Sequence, residues 1–294
     1  MRLPDGRRIG YAEYGDPDGV AVLALHGTPG SRIKFRAADA LAARLGVRLI
    51  APDRAGYGGS TPKPGRGLAA AAGDLFQLAN ALGIGEFTLV GISGGGPHAA
   101  ACAALGDGRV RALGLVGPVG PIRDPVVEAA LPPKFRRIFA LGRHPLLARV
   151  VFTAIGRCAA YWPGLLARGL MQRACAADRP LLRRADVAGS LAASFAEGIG
   201  RGVEGAMEDA RMFAEPWDFD PALICVPTVV WQGSEDGNVP PAAAIRLARL
   251  IPGCEMHLIE GAGHYWVYDH FDEVLRTLLD RADRRHGTAG IAPS

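Results

Sequence analysis

Lysine is nearly missing from this chain. Of its 33 basic residues only three are lysine (Lys34, Lys63 and Lys134); against 29 acidic residues the formal net charge is +4. No basic run with interleaved aromatic residues occurs, which excludes an evident nucleic-acid-binding face. Cysteine is sparse as well: Cys102, Cys158, Cys175, Cys225 and Cys254 are five, an odd number in no paired spacing. They read as buried free thiols and argue against a disulfide framework or a metal site. No stretch of ~18 uncharged apolar residues is present, so no membrane span is expected. Met1-Arg2-Leu3-Pro4-Asp5-Gly6 lacks the apolar core of a secretory signal. The expectation is a cytoplasmic protein with neither a membrane nor a nucleic-acid partner. Serine is also rare, with seven in 294 residues.

One of those serines stands in a telling place. Residues 87–100 read Phe-Thr-Leu-Val-Gly-Ile-Ser-Gly-Gly-Gly-Pro-His-Ala-Ala, an apolar strand running into a small-residue helix through Ser93. Gly91 and Gly95 flank it in the G-x-S-x-G arrangement. A sharp strand-to-helix elbow strains the backbone at the serine, and side chains two positions either side would collide with it. The hydroxyl then stands at the positive end of the following helix. With 40 glycines in the chain, chance placement alone gives about 0.13 such serines. The strand before it and the helix after it are what make the signal strong.

A serine nucleophile needs a base and an acid, and later strands supply both. Val226–Trp231 is a β-branched apolar run followed by a turn with two acids, Glu235 and Asp236. Residues 255–260 read as another strand, and Gly261-Ala262-Gly263-His264 is the loop after it. Ser93, Asp236 and His264 thus appear in the order Ser…Asp…His. The spacing of Gly233 and Pro240 favours Asp236 over Glu235. Asp124, after the strand at 110–116, is a rival acid, and His270 a rival base that falls in a closing helix.

At this point the chain resembles the α/β-hydrolase superfamily over nearly its whole length. His26-Gly27-Thr28-Pro29-Gly30 is similar to the family's H-G-x-P-G loop, and Asp53-Arg54-Ala55-Gly56-Tyr57-Gly58-Gly59-Ser60 to its D-x-x-G-x-G-x-S segment. Gly233-x-x-Asp236-x-x-x-Pro240 and Gly263-His264 match its acid and histidine loops. The resemblance implies a mostly parallel sheet flanked by helices, with an inserted all-helical cap. It also implies an oxyanion hole made by the backbone N–H groups of Thr28 and Gly94. His26 and Gly27 then support the loop, as Gly91 and Gly95 support the elbow. His98, one turn into the elbow helix, is either structural or a substrate contact. No cofactor or metal is required.

Strand and helix patterns alternate along the rest of the core, implying right-handed crossovers in a parallel sheet. An opening strand is expected at Arg7–Tyr14 and an amphipathic helix at Arg32–Leu45. Between Gly117 and Trp217 the alternation stops and only helix signals remain, too many residues for a loop. The expected organisation is core at 1–119, cap at 120–216, core again at 217–283 and a disordered tail at 284–294. Residues 121–215 carry 14 basic and 9 acidic residues, an excess that reads either as a solvated helix face or as steering of an anionic substrate.

Three classes of function are compatible with these residues. The first is hydrolysis of a small carboxylic ester, lactone or related acyl substrate through an acyl-enzyme. The second is a cyclase, lyase or C–C bond-cleaving enzyme on the same triad. The third is a non-enzymatic small-molecule binding protein, against which an intact triad argues. An aminopeptidase of the proline iminopeptidase type would use cap acids, here Glu197, Glu204 and Glu208, to bind a substrate amine.

Overall fold

The computed structural model describes residues 1–106 and 108–288. Seven strands form one sheet: β1 Tyr11–Gly15, β2 Val20–Leu25, β3 Val47–Pro52, β4 Phe87–Ile92, β5 Val110–Val116, β6 Thr228–Gly233 and β7 Glu255–Ile259. Their order is β1-β3-β2-β4-β5-β6-β7. β1 pairs antiparallel with β3, whereas every other pair is parallel. This is the mostly parallel sheet expected from the sequence, with β4 at its centre.

Parallel strands need helical crossovers, which cover both faces. The core helices are α1 Asp39–Arg44, α2 Leu68–Ala81 and α3 Gly96–Ala104, with α11 Pro241–Leu250 and α12 Val267–Thr288 closing the fold. Alternation along the strands divides the core in two. Leu23, Leu25, Leu89, Leu113, Leu115 and Val230 pack with Leu75, Leu78 and Leu247 of α2 and α11 on one face. Val22, Ala24, Val90, Ile92, Val116 and Trp231 pack with Val274, Leu275 and Leu278 of α12 on the other.

Between β5 and β6 lie only helices: α4 Pro125–Ala130, α5 Pro133–Ala140, α6 Pro145–Tyr161, α7 Pro163–Arg173, α8 Asp178–Arg183, α9 Ala185–Ile199 and α10 Glu204–Phe213, besides short 3-10 turns. Four of them begin on proline, whose fixed φ suits the first helical turn. The return to the core is marked by Trp217 stacked on Phe219, ring centroids 5.1 Å apart.

Two expectations shift. The segment at 32–45 divides into a 3-10 turn, Arg32–Ala38, and α1. Asp53 holds both the backbone N–H and the guanidinium of Arg32, pinning that first turn. At the other end, α12 continues through Thr288, into the segment expected to be a disordered tail. From Val267 to His286 the sequence has no glycine or proline to break it; the remaining tail, residues 289–294, lies outside the described residues.

The helical insertion sits on the loops that leave the C-terminal ends of the strands. Gly58 N–H donates to the Gly198 carbonyl (3.0 Å) and Gly205 N–H to the Gly56 carbonyl (3.1 Å). Ser31 N–H donates to Ser194 Oγ at 3.0 Å. At Gly198, a Cβ would strike the Gly30 carbonyl directly, so glycine permits the close approach of α9 to the loop after β2. Gly198→Ala is therefore expected to destabilise the fold by about 1–3 kcal/mol through overpacking, read as a lower urea midpoint. An unchanged midpoint would mean that the two parts can separate here without strain.

Candidate active site

Registers in the sheet bring the strand ends level: Leu25 pairs with Gly91, Ile92 with Val116, Val116 with Trp231 and Gly233 with Ile259. The loops leaving these ends carry His26, Ser93, Gly117, Asp236 and His264, at the sheet edge where open α/β folds place ligands.

Ser93 has φ +55°, the only non-glycine residue with positive φ among the described residues. The elbow is tight. A Cβ on Gly91 would lie 2.7 Å from the Gly95 carbonyl oxygen and 2.8 Å from Ala99 Cβ, and one on Gly95 would lie 2.7 Å from the His26 carbonyl oxygen. Both glycines are buried while Ser93 is half-buried, so the hydroxyl is reachable where its neighbours are not. The loop after β5 closes against it: Val119 N–H donates to the Ser93 carbonyl at 3.1 Å.

Asp236 and His264 meet. His264 Nδ1–H donates to Asp236 Oδ2 at 2.7 Å, leaving Nε2 as the free ring nitrogen. Asp236 also accepts from Gln232 Nε2 (3.0 Å) and from the N–H groups of Asn238 (2.8 Å) and Val239 (2.9 Å). Burial opposes its charge, but His264 and those donors outweigh it, and its pKa falls below the ordinary carboxylate value. Burial likewise opposes the imidazolium of His264, yet Asp236, helped by Asp178, moves its pKa above 6.5. Gly117 forms the floor: a Cβ there would stand 3.2 Å from His264 Nδ1 and 3.5 Å from Asp236 Oδ2. Glu235 is exposed and takes no part. Asp124 is the N-cap of α4 and pairs with Arg246 at 2.9 Å. His270 stacks on Trp266, centroids 4.5 Å apart.

The loop after β2 lies beside Ser93. A Cβ on Gly27 would be 3.3 Å from Ser93 Cβ, and one on Gly94 would be 3.1 Å from Thr28 N. His26 is fully buried; its Nδ1–H donates to the Gly27 carbonyl (2.8 Å), and its Nε2 accepts Arg54 N–H (3.2 Å). Burial, then the adjacent Arg54 guanidinium, keeps its pKa well below 6.5. It is a neutral scaffold for the loop.

Two insertion carboxylates that sequence reasoning passed over organise these loops. Asp178 is buried and accepts the backbone N–H groups of His264 and Tyr265, each at 2.9 Å. Asp209 of α10 is fully buried and accepts five donors. Thr28 Oγ1 (2.6 Å), Tyr57 OH (2.7 Å) and Arg54 Nη2 (2.5 Å) reach one oxygen. Arg66 Nη2 and His98 Nε2–H reach the other, each at 3.0 Å. Burial would raise its pKa; Arg54 foremost, then His98 and Arg66, hold it well below the usual value. Of the two roles weighed for His98, structural or substrate contact, its burial and its hydrogen bond to Asp209 favour the structural one. No sequence signal marked Asp209, which sits in an ordinary Glu-Asp-Ala stretch of an amphipathic helix.

Burial lowers the His98 pKa to about 4, so the folded state binds fewer protons than the unfolded chain between pH 6.5 and 4. Stability must therefore fall as the pH is lowered across that window. For His98 alone the loss from pH 7 to pH 5 is about 2 kcal/mol. Urea unfolding at the two pH values should show it, and His98→Gln should flatten the dependence; an equal dependence in the variant would place the acid sensitivity elsewhere.

A model of the alpha/beta hydrolase family matches residues 22–277. A 2-hydroxymuconate semialdehyde hydrolase of Pseudomonas putida is 26% identical, over 97% of this chain and 95% of that protein. A non-heme chloroperoxidase of Kitasatospora aureofaciens is 29% identical over 88% and 90% respectively. Among solved structures, a thermophilic esterase from Thermogutta terrifontis, determined with malate bound, superposes with TM-score 0.67 at 25% identity, over 95% of this chain and 96% of that one. With a hydrolase-type site at its sheet edge and a family match across most of its length, this chain is an enzyme and belongs to the alpha/beta hydrolase family.

Proposed function

We propose that the enzyme hydrolyses a carboxylic ester, lactone or related acyl compound through an acyl-enzyme on Ser93. The observation that carries this reading is the strained, reachable Ser93 at the same sheet edge as the 2.7 Å His264–Asp236 hydrogen bond. In this mechanism His264 Nε2 takes the Ser93 proton as Oγ attacks the carbonyl carbon, and returns it to the departing alcohol. Asp236 holds the imidazole in the Nδ1–H tautomer and stabilises the imidazolium without taking the proton. The backbone N–H groups of Gly94 and Thr28 receive the oxyanion; one such donor is typically worth ~10²–10³ in turnover. Water, activated by the same imidazole, then releases the acid.

The iminopeptidase alternative loses support from the cap acids. Glu197 pairs with Arg32 at 2.6 Å, Glu208 with Arg211 at 3.0 Å and Glu204 with Arg149 at 3.5 Å, so each is engaged by a guanidinium.

Two measurements test the proposal. A fluorophosphonate probe should add once to the wild-type protein, at Ser93 by peptide mapping, and not to Ser93→Ala; folded wild-type protein that resists labelling would sink the acyl-enzyme. The kcat/KM profile for a turned-over ester should rise with pH through a midpoint above 6.5, because His264 must be neutral to act as base. Asp178→Asn removes a negative charge that favours the imidazolium and should shift that midpoint to lower pH. A midpoint that stays in place would separate Asp178 from the base.

A further inference from the structure

Among the described residues, nothing covers the outer side of α6. Leu146, Val150, Ala154, Arg157 and Tyr161 recur at steps of four, four, three and four, which aligns them along one side of the helix, and all five are exposed. The opposite side, Ala148, Phe152, Gly156 and Ala159, is buried. It packs so closely that a Cβ on Gly156 would lie 2.6 Å from the Ile199 carbonyl oxygen of α9. The outer stripe is strongly apolar: Leu146 is 81% exposed, Val150 65%, Tyr161 73% and, just past the helix end, Trp162 60%. Leu147 and Leu165 extend it.

Charge along this stretch of the sequence has one sign. Between Glu128 and Asp178 the sequence holds eight basic residues and no acidic one. Arg143, Arg157, Arg168 and Arg173 are exposed, and among the described residues none of them pairs with a carboxylate. Arg149 is shared with Glu204 at 3.5 Å.

We propose that the outer face of α6, with the Tyr161–Trp162–Leu165 corner, docks the enzyme on an anionic lipid surface. Charge complementarity selects that occupant. Aliphatic side chains have an acyl layer to enter, tryptophan and tyrosine suit the headgroup level, and unpaired arginines meet lipid phosphates. A second copy of this chain fits poorly, since a two-fold contact through this face would bring two sets of the uncompensated Arg143, Arg157, Arg168 and Arg173 together. The proposed contact is with the membrane surface: no single helix among the described residues is long and apolar enough to span one, and α5 and α6, which reach the length only together, are bent by 106° with one side of α6 packed on α9. The sequence-level expectation of no membrane partner rested on spanning segments alone. The proposal does not depend on the chemistry of Ser93.

The test is co-sedimentation of the whole protein with vesicles of phosphatidylcholine, with and without about 30% phosphatidylglycerol. The expected result is partition onto the anionic vesicles, weak partition onto the neutral ones, and at least about a tenfold loss at ~0.5 M salt. Leu146→Asp/Leu147→Asp should lower anionic partition by about tenfold or more while keeping the wild-type urea midpoint. If that pair lowers the midpoint, Arg157→Gln/Arg168→Gln takes its place, with the same loss expected. The proposal is overturned by no partition onto anionic vesicles, by equal partition onto neutral ones, or by variants that bind as wild type does. A dimer in sedimentation equilibrium that the leucine pair abolishes, without vesicle binding, would also overturn it and assign the face to a second copy.

Discussion

Asp209 joins the two parts of this enzyme electrostatically. A buried carboxylate is tolerable only when its charge is compensated and its lone pairs are filled, and here five donors converge on two oxygens. Four of them, Thr28, Tyr57, Arg54 and Arg66, come from the loops after β2 and β3, and the fifth, His98, from α3. Removing one partner of such a buried set costs about 3–5 kcal/mol because the remaining charges stay buried. Helix α10 is thereby held down on the loop that carries Thr28. The two guanidinium groups around one carboxylate, with His26 and His98 neutral, leave positive charge beneath that loop, the sign that favours a developing oxyanion.

Asp178 repeats the arrangement on the other side of the proposed triad. Its carboxylate caps the N–H groups of His264 and Tyr265, so the histidine loop is held from the cap while Asp236 holds the ring from the core. The insertion therefore acts as a second support for both loops of the proposed site, in addition to covering the sheet edge. Glycines at the seam, Gly198 against Gly30 and Gly205 against Gly56, let backbone meet backbone there, which makes the positions of these loops and of α9 and α10 interdependent.

Arginine serves two opposite purposes in this chain. Arg54 and Arg66 are buried, where a planar fork with several donors can satisfy a carboxylate and a backbone carbonyl at once. The arginines around α6 and α7 are exposed and surround apolar side chains. The positive excess counted along the insertion is thus not a single feature: its outward part belongs to the helix face, and its balance near the site is set by Asp178 and Asp209.

What the sequence determined by itself was whatever depends on near neighbours in the chain. Strand alternation, the glycine-flanked Ser93, the acid and histidine loops and the all-helical stretch after β5 are local patterns, because φ/ψ sterics, side-chain periodicity and turn chemistry act over a few residues. The segment at 32–45 and the end of α12 were read less well, since contacts from Asp53 and the persistence of the helix beyond its kink at His270 decided them. Tertiary structure alone decided the roles of Asp209, Asp178 and His98. Asp209 meets Thr28 across 181 positions, Arg66 across 143 and His98 across 111, and in its own helix it resembles any solvated acid. Whether such a carboxylate faces water or becomes the anchor of a buried network depends on where its helix comes to rest, and that is settled by packing over the whole molecule.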